Sequence, residues 1–307
     1  MNKVLVTGAN GFVAGDIPKM LASRGAAVYS VGRTTPAPLD GVNFLQADLL
    51  ATDSDAFRRI ADVGADTLIH VAWCTEPGGY WTSVDNLRWM AASLHLVDAF
   101  MAGGGKRVVI AGTCAEYDWH YHTLIERQTP LAPATIYGQA KASLHCALAA
   151  YADKHDISFA WGHIFFPYGP KEKPRRLLSD LACNLLKGVE MEVSEGKQIR
   201  DFMHVEDVAR AFVELAASDV RGPVNIASGE QRQLREIIEI AAKAVGRLDL
   251  VKFGARPPIA NNPPCLAASI SRLRDEVGFR PRYQLEDGIK ATVQWWESQL
   301  ANEAAGK

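Results

Sequence analysis

The sequence lacks three features that would each have pointed to a different class of protein. It has no apolar run near the roughly 20 residues that span a bilayer, so we expect no membrane segment. Its formal charge is only -2, which gives no electrostatic reason to expect nucleic acid or an anionic membrane as a partner. Its five cysteines are odd in number and contain no CxxC pair, which favours reduced thiols in the cytoplasm over disulfides or a metal site. They are Cys74, Cys114, Cys146, Cys183 and Cys265.

A glycine-rich turn follows the first predicted strand, Val4–Val6. Gly8 lets the backbone leave the strand sharply, and Gly11 lets main-chain N–H groups approach a ligand with no Cβ in the way. A helix is predicted to follow directly, to point its positive end at a pyrophosphate and to kink at Pro18. Glycine is also common at such junctions for steric reasons alone. The residues predicted to hold a dinucleotide here are Gly8, Asn10, Gly11, Phe12 and Val13.

Predicted strands and helices alternate through the first half of the 307 residues, which is typical of a parallel sheet covered by helices on both faces. The chain enters its first strand almost at once, so we expect no cleaved signal peptide. The predicted fold is α/β, a Rossmann-type doubly wound parallel sheet with a smaller C-terminal α/β substrate domain. Residues 1–165 are assigned to the dinucleotide-binding domain, rejoined by about 200–228, and residues 166–199 and 229–307 to the substrate-binding domain.

The next three predicted strands end in residues suited to cofactor contacts. The second strand ends at Arg33 rather than at an acidic residue, and a guanidinium suits a 2′-phosphate, so we favour NADP(H) over NAD(H). The alternative is that Arg33 is a solvated loop residue. The third strand ends at Asp48 and Leu49, where a carboxylate could accept from the adenine amino group. The fourth ends at His70, interpreted as buried and hydrogen-bonded, and then at small residues along the cofactor backbone: Val71, Ala72 and Trp73.

Tyr137 and Lys141 lie four residues apart, on one face of a predicted helix. A nearby ammonium is expected to lower the phenol pKa from about 10 toward working pH, and Lys141 would also hold the cofactor ribose. The YxxxK pattern alone occurs by chance, but here it opens the helix after the fifth predicted strand. That strand ends at Thr113, whose hydroxyl can bind a reacting carbonyl. The next residue, Cys114, is either a small packing residue or a chemical one.

Several motifs in order resemble the extended short-chain dehydrogenase/reductases, namely the NAD-dependent epimerase/dehydratase family that acts on nucleotide sugars. They lie at residues 7–15, 137–141, 166–170, 198–208, 225–229, 271–273 and 278–281. The resemblance implies a catalytic triad of Thr113, Tyr137 and Lys141. It also implies that Arg200 binds the diphosphate of a sugar nucleotide, with help from Arg256. Without the resemblance, Arg200 would equally be a surface residue paired with a neighbouring carboxylate.

Departures from the family pattern narrow the reaction. The 4,6-dehydratases carry Asp-Glu directly after the catalytic threonine, whereas this chain carries Cys114 and Ala115, which argues against water elimination. Enzymes similar to GDP-fucose synthase carry a histidine in the second domain, whereas this chain carries Arg176 near that place. Phe166 stands where many 4-epimerases carry an asparagine that contacts the diphosphate. The predicted substrate-binding residues are Cys114, Phe166, Arg176, Arg200 and Arg256, and residues 119–122 are predicted either to lie over the sugar or to support an aromatic lid.

Three functions follow as hypotheses. The leading one is an NADPH-dependent reductase of a nucleotide-linked 4-keto-6-deoxy sugar. The second is a 4-epimerase that retains its cofactor, and the third is a dinucleotide-sensing protein without turnover. Apolar residues on the helices predicted at 86–102 and 137–155 predict a homodimer, since the corresponding helices of relatives pair across a two-fold axis; otherwise they pack on their own sheet. These residues are Leu87, Trp89, Met90, Leu94, Leu144, Leu148 and Tyr151.

Overall fold

The computed structural model describes residues 1–51, 54–257 and 262–305. Its strands are β1 Lys3–Thr7, β2 Ala27–Gly32, β3 Val42–Gln46, β4 Thr67–His70, β5 Arg107–Thr113, β6 Thr123–Leu124, β7 Ser158–Ile164, β8 Phe166–Tyr168, β9 Met191–Val193, β10 Ile199–Arg200, β11 Phe202–His204, β12 Gly222–Ile226, β13 Arg232–Gln233, β14 Val251–Phe253 and β15 Cys265–Ala268. Its helices are α1 Ile17–Ala22, α2 Ser54–Asp62, α3 Asp85–Ala102, α4 Ile136–Lys154, α5 Leu177–Leu186, α6 Val205–Ala217, α7 Leu234–Val245 and α8 Leu285–Ala305.

The centre of the molecule is a seven-stranded parallel sheet in the order β12-β7-β5-β4-β1-β2-β3. Its central strands are apolar on both faces because each face is covered by helices. One apolar cluster joins the sheet to α1 and α6, and a second joins it to α2, α3 and α4. This arrangement is a doubly wound Rossmann-type sheet, which confirms the predicted fold class.

A third apolar cluster lies among α5, α7 and α8, in the C-terminal half of the chain. Short strands surround it, including the pairs β8–β11 and β9–β14. Strand β12, although late in the chain, pairs with β7, so residues 222–226 belong to the seven-stranded sheet. The predicted division into two domains, with a return of the chain near 200–228, stays a prediction. No helix among the described residues is both long and apolar enough to cross a membrane.

The first helix differs from its prediction. It begins only at Ile17 and has six residues, and turns fill the chain between Gly8 and Asp16. Pro18 therefore lies in the first turn of the helix rather than two turns into it. Proline is tolerated there because the first helical N–H groups have no partner in the helix, and the predicted kink is wrong. The helix thus begins later than predicted, and its orientation toward a pyrophosphate stays a prediction.

Candidate active site

The glycine turn lies at the carboxyl edge of the sheet, where β1 ends. Gly8 has a φ of 80°, and a Cβ on it would lie 2.7 Å from Ala72 N, so only glycine fits there. The N–H of Gly11 donates to Gly8 O at 2.8 Å and closes the turn. Asn10 Nδ2 donates to Thr34 O at 2.6 Å and ties the turn to the end of β2. The other two predicted residues of the turn, Phe12 and Val13, are half-buried. The cradle fits the close approach of a pyrophosphate.

His70 is part of the wall beneath this turn. Its Nδ1 lies 2.6 Å from Thr7 Oγ1 and its Nε2 lies 2.8 Å from Ser93 Oγ, and burial lowers the pKa of the imidazole to about 3. The hydroxyl of Thr7 also accepts the N–H of Ala72 at 3.2 Å, and its carbonyl accepts the N–H of Val71 at 3.3 Å. His70 is thus a neutral, hydrogen-bonded histidine, which confirms its interpretation as structural.

A cavity of about 470 Å³ opens beyond the ends of β2 and β3. Arg33 and Asp48, both predicted cofactor ligands, line it together with Gln46 and Arg59. The carboxylate of Asp48 accepts the N–H two residues later at 3.0 Å, and Leu49 is buried beneath it. Arg33 is exposed, and no carboxylate of the described residues forms an ion pair with it. The arrangement fits the adenosine end of a dinucleotide.

Trp73, predicted to lie along the cofactor backbone, contacts the predicted catalytic lysine. Its indole N–H donates to Asn86 Oδ1 at 2.9 Å, which fixes the ring. The ring centroid lies 3.8 Å from Lys141 Nζ, within the range of a cation–π contact. Trp73 therefore forms a wall of the reacting centre, and its contact with the cofactor stays a prediction.

The three predicted catalytic side chains meet in the interior, where β5 ends. Thr113, Tyr137 and Lys141 are 8%, 7% and 3% exposed. Thr135 caps α4 by accepting the N–H three residues later at 3.1 Å, so Tyr137 lies in the first turn and Lys141 one turn further on. Lys141 Nζ donates to Ala111 O at 2.7 Å, and the phenol of Tyr137 lies in hydrogen-bonding reach of Thr113. The structure thus brings the three together.

Burial governs the protonation of these groups. It raises the pKa of the Tyr137 phenol well above its ordinary value, while the hydrogen bond with Thr113 opposes the rise. The expectation that Lys141 brings this pKa down toward working pH is not met, because the loss of hydration outweighs the hydrogen bond with Thr113. Burial also lowers the pKa of Lys141 to about 7, against the opposing charge of Glu116. The phenol is held neutral, and the amine is balanced between its two forms near neutral pH.

Aromatic rings surround the phenol of Tyr137. Tyr80 and Trp81 meet its ring edge-on, with centroids 5.0 and 5.6 Å away. Trp119 packs edge-on against Trp81 at 6.2 Å, and its indole N–H donates to Cys114 O at 2.9 Å. The sequence predictions named only Trp119 of these three neighbours. The space around the reacting phenol is therefore narrow and largely apolar.

The predicted group at residues 119–122 divides in the structure. Trp119 joins the aromatic cluster, whereas His120 is exposed and lies 2.6 Å from the carboxylate of Asp118. Tyr121 is 47% exposed, and the carbonyl of His122 accepts the N–H of Ala267 at 3.2 Å. Of the four, Trp119 is the residue that the structure brings to the site.

Two segments meet over the aromatic cluster, one after β4 and one before α5. Arg176 Nη2 donates to Thr75 O at 3.1 Å, and its guanidinium lies 5.3 Å from the Tyr80 ring centroid. Lys173 pairs with Glu76 across the same junction. These contacts bring Arg176, a predicted substrate residue, next to a ring that touches Tyr137.

Arg200 and Phe166 also lie together. Arg200 is 4% exposed, and its guanidinium lies 5.6 Å from the Phe166 ring centroid. Its Nη2 donates to Asn262 Oδ1 at 2.6 Å. The alternative of a surface arginine paired with a neighbouring carboxylate is wrong, since the side chain is buried and no described carboxylate forms an ion pair with it.

The two remaining predicted substrate residues have different surroundings. Cys114 is buried next to Thr113, and burial raises the pKa of its thiol to about 12, so the thiol is neutral. Arg256 is exposed, and its backbone N–H donates to Val193 O at 3.2 Å. The role of the Arg256 side chain in binding a diphosphate stays a prediction.

The sequence predictions missed a buried polar cluster behind Thr113. Glu116 is fully buried, and its carboxylate accepts from Trp161 Nε1 at 3.1 Å and lies 3.2 Å from His163 Nε2 and 3.7 Å from His145 Nδ1. The ligand-type atoms of the carboxylate and the two histidines lie within 4.8 Å of one another. Both carboxylate oxygens already accept hydrogen bonds from N–H groups, which accounts for the cluster without a metal.

The family follows from comparison with known proteins. Residues 4–227 match the sequence model of the NAD dependent epimerase/dehydratase family. The chain therefore belongs to this family of enzymes within the extended short-chain dehydrogenase/reductases, which confirms both the predicted family and the prediction of an enzyme.

Individual relatives are distant but similar over nearly their whole length. A UDP-glucose 4-epimerase of Corynebacterium glutamicum is 24% identical, with 92% of this chain and 91% of the relative covered. A dTDP-4-dehydro-6-deoxy-D-allose reductase of Streptomyces bikiniensis is 25% identical, with 95% of each chain covered. The structure of a Thermus thermophilus UDP-glucose 4-epimerase complexed with NAD has a TM-score of 0.84 at 24% identity, with 96% of this chain and 98% of that chain covered.

Proposed function

We propose that this protein is an NADP-dependent oxidoreductase that reduces the 4-keto group of a nucleotide-diphosphate 4-keto-6-deoxyhexose. One observation carries the proposal: Thr113, Tyr137 and Lys141 meet in a buried site, while the next two positions, Cys114 and Ala115, hold no acid. Carbonyl reduction needs a proton donor but no base that removes a proton from a ring carbon. The dTDP-4-dehydro-6-deoxy-D-allose reductase among the relatives supports the same reaction class.

The side chains divide the chemistry as follows. A bound nicotinamide dinucleotide supplies the hydride. The phenol of Tyr137, kept neutral by burial, donates its proton to the carbonyl oxygen of the sugar. The hydroxyl of Thr113 donates a hydrogen bond to the same oxygen and orients it. The ammonium form of Lys141 then stabilises the phenolate and binds the cofactor ribose.

The crowded surroundings of Tyr137 favour reduction over epimerisation. A 4-epimerase must turn its keto intermediate so that hydride leaves one face and returns to the other. The rings of Tyr80 and Trp81 pack against the phenol ring at 5.0 and 5.6 Å, and Trp119 lies behind them. Such packing leaves little room for the sugar to rotate and suits delivery to a single face.

Arg33 supports NADP(H) as the cofactor. Its guanidinium is exposed at the edge of a cavity of about 470 Å³, with Arg59 on the same lining. Two guanidinium groups suit a 2′-phosphate on an adenosine, since each can donate two hydrogen bonds to it. At the other end, the buried guanidinium of Arg200 suits the substrate diphosphate, and Arg176 suits an adjoining polar group.

A 4-epimerase that retains its cofactor is the second candidate. The UDP-glucose 4-epimerase relative from Corynebacterium glutamicum covers most of the chain and favours this alternative. An epimerase would use the same three catalytic residues. It differs in leaving no net change in the cofactor.

The deciding experiment is incubation of the purified protein with NADPH and a dTDP-linked 4-keto-6-deoxyhexose. We expect loss of the NADPH absorbance and a product with a 4-hydroxyl group in mass spectrometry. NADH in place of NADPH is the matched control and should react more slowly. Isomerisation of a UDP-hexose without any change in absorbance would instead establish the epimerase.

We also propose that the protein is a cytoplasmic homodimer. Leu87, Leu94 and Tyr151 are 51%, 37% and 38% exposed on α3 and α4, which lie side by side. Leu144 and Leu148, predicted as part of the same surface, are buried and pack on the protein's own sheet. The apolar surface that remains exposed on the two helices is therefore smaller than predicted. Light scattering at micromolar concentration tests the dimer, and a monomeric mass would rule it out.

A further inference from the structure

Glu116 is a fully buried carboxylate to which the proposed reaction assigns no role. Its Oε1 accepts the backbone N–H of Thr113 at 2.7 Å, in a capping box in which the Thr113 hydroxyl accepts the N–H of Ala115 at 3.2 Å. Both carboxylate oxygens accept from Trp161 Nε1 at 3.1 Å, and Oε2 lies 3.2 Å from His163 Nε2. The backbone that presents the catalytic hydroxyl is therefore fixed by a negatively charged group.

The same carboxylate lies next to the backbone that holds Lys141. The ammonium donates to Ala111 O at 2.7 Å and lies 6.0 Å from the Trp161 ring centroid. A Cβ on Gly112 would lie 2.0 Å from Trp161 Nε1 and 2.7 Å from Glu116 Oε1. The Trp161–Glu116 hydrogen bond thus fills the space that the missing side chain leaves. Three successive residues of β5 connect Lys141, Glu116 and the catalytic hydroxyl.

The titratable groups around Glu116 and Lys141 are mostly neutral, and Glu116 carries the negative charge. Burial lowers the pKa of His163, and that of His70 next to Lys141 to about 3, so both imidazoles are neutral. The thiol of Cys114 is neutral because burial raises its pKa. The phenols of Tyr117 and Tyr137 are neutral for the same reason, and His145 faces the carboxylate at 3.7 Å. The pKa of Glu116 itself is lowered to about 2, with burial opposed by the two histidines and their hydrogen bonds.

We propose that Glu116 is a positioning residue of the active site: held by Trp161 and His163, it fixes the backbone of Thr113 and provides the buried negative charge that keeps Lys141 protonated. The proposal builds on the oxidoreductase function inferred above, since that function requires a charged Lys141. It explains how a lysine that is 3% exposed, with no carboxylate in ion-pair distance among the described residues, still has a pKa of about 7 and is partly protonated at neutral pH. Without the carboxylate, burial alone would favour the neutral amine.

The test is a direct titration of Lys141 by 13C NMR. The full-length protein is produced with lysine labelled with 13C at Cε and is titrated without cofactor or substrate. The Lys141 signal is assigned by its loss in Lys141→Arg. We expect a pKa near 7 in the original protein and a value lower by about one unit in Glu116→Gln, the lower end of the effect of a nearby opposite charge. Glu126→Gln removes another buried carboxylate, one that accepts Asn225 N–H at 2.7 Å, and should leave the Lys141 titration unchanged.

An unchanged Lys141 titration in a folded Glu116→Gln protein would overturn the proposal. Should that variant not fold, the original protein labelled with 13C at glutamate Cδ decides: Glu116 must stay ionised down to about pH 3. A neutral Glu116 at pH 7 would refute the charge role outright. In the enzymatic assay, kcat should fall at a lower alkaline pH in Glu116→Gln than in the original protein, because the pKa of Lys141 is lower. The titrations need no turnover, so a failed reductase assay would count against the proposed function and not against Glu116.

Discussion

At the outer end of the cofactor site, Arg33 and Asp48 are exposed around a cavity of about 470 Å³. At the inner end, Thr113, Tyr137 and Lys141 are at most 8% exposed. The outer groups stay in water, where charges are screened and each contact contributes little. The inner groups have lost their hydration, so burial moves their pKa values in opposite directions. The outer end is thus suited to recognition and the inner end to proton transfer.

This contrast predicts that the same kind of change has a much larger effect at the inner end. Tyr137→Phe should lower kcat for carbonyl reduction by about 10²- to 10⁴-fold, because it removes the proton donor. The measurement is NADPH consumption with the 4-keto sugar. Tyr168→Phe is the matched control, since it also removes a buried phenol hydroxyl, one that donates to Leu285 O at 3.3 Å. Activity of Tyr137→Phe within tenfold of the original protein would contradict its role.

The second prediction concerns stability at the inner end. The pKa of Glu116 is about 2 in the folded protein, below its ordinary 4.5, so ionised Glu116 contributes stability that is fully present above pH 4.5. This contribution is lost as the pH falls from 4.5 toward 2. Glu116→Gln should therefore be less stable than the original protein at pH 7, and the difference should shrink at pH 3. Urea unfolding at both pH values measures it.

Glu126 provides the control with the opposite sign. Burial raises its pKa, so its ionisation opposes folding above its ordinary range. Glu126→Gln should consequently lose less stability than Glu116→Gln at pH 7 and gain relative to the original protein as the pH rises. Equal losses in the two variants at pH 7 would show that burial of a carboxylate, rather than its charge, determines the effect.

The sequence predicted the parts of the molecule that depend on local pattern. The strand predicted at Val4–Val6 lies within β1, because a short apolar run is enough to define a buried parallel strand. The triad was also predictable, since four residues along a helix put Tyr137 and Lys141 on one face whatever surrounds them.

What could not be predicted depends on contacts between distant residues. The packing of Trp73 against Lys141 could not be predicted, because the spacing along the chain does not reveal where a ring packs. The predicted fall in the pKa of Tyr137 does not occur because the loss of water in the interior is a property of the whole fold. The role of Glu116 could not be predicted because it depends on a hydrogen bond with Trp161, which is 45 residues away in sequence. Gly112, between Ala111 and Thr113, was the available signal, since a glycine in a central strand often marks a close approach.

The third prediction tests the outer end. Arg33→Ala should raise the KM for NADPH by about tenfold, the cost of losing a hydrogen bond to a charged group, and change the KM for NADH by less than about twofold. The difference should diminish at high salt because the side chain is exposed. Equal changes for both cofactors would mean that Arg33 does not contact a 2′-phosphate, and NADP(H) would lose its main support.

The smallest effect is expected at Arg59, on the same cavity lining as Arg33. Its Nη2 donates to Gln46 O at 3.0 Å and its Nε lies 3.1 Å from Asp55 Oδ2, so its donors are partly engaged within the protein. Arg59→Ala should raise the KM for NADPH by about threefold or less, in line with an exposed and already paired cation. Measuring the KM for NADPH of Arg59→Ala and Arg33→Ala under the same conditions tests which arginine contributes more. A larger loss for Arg59→Ala than for Arg33→Ala would place the phosphate on the α2 side of the cavity, because Arg59 approaches it from that helix.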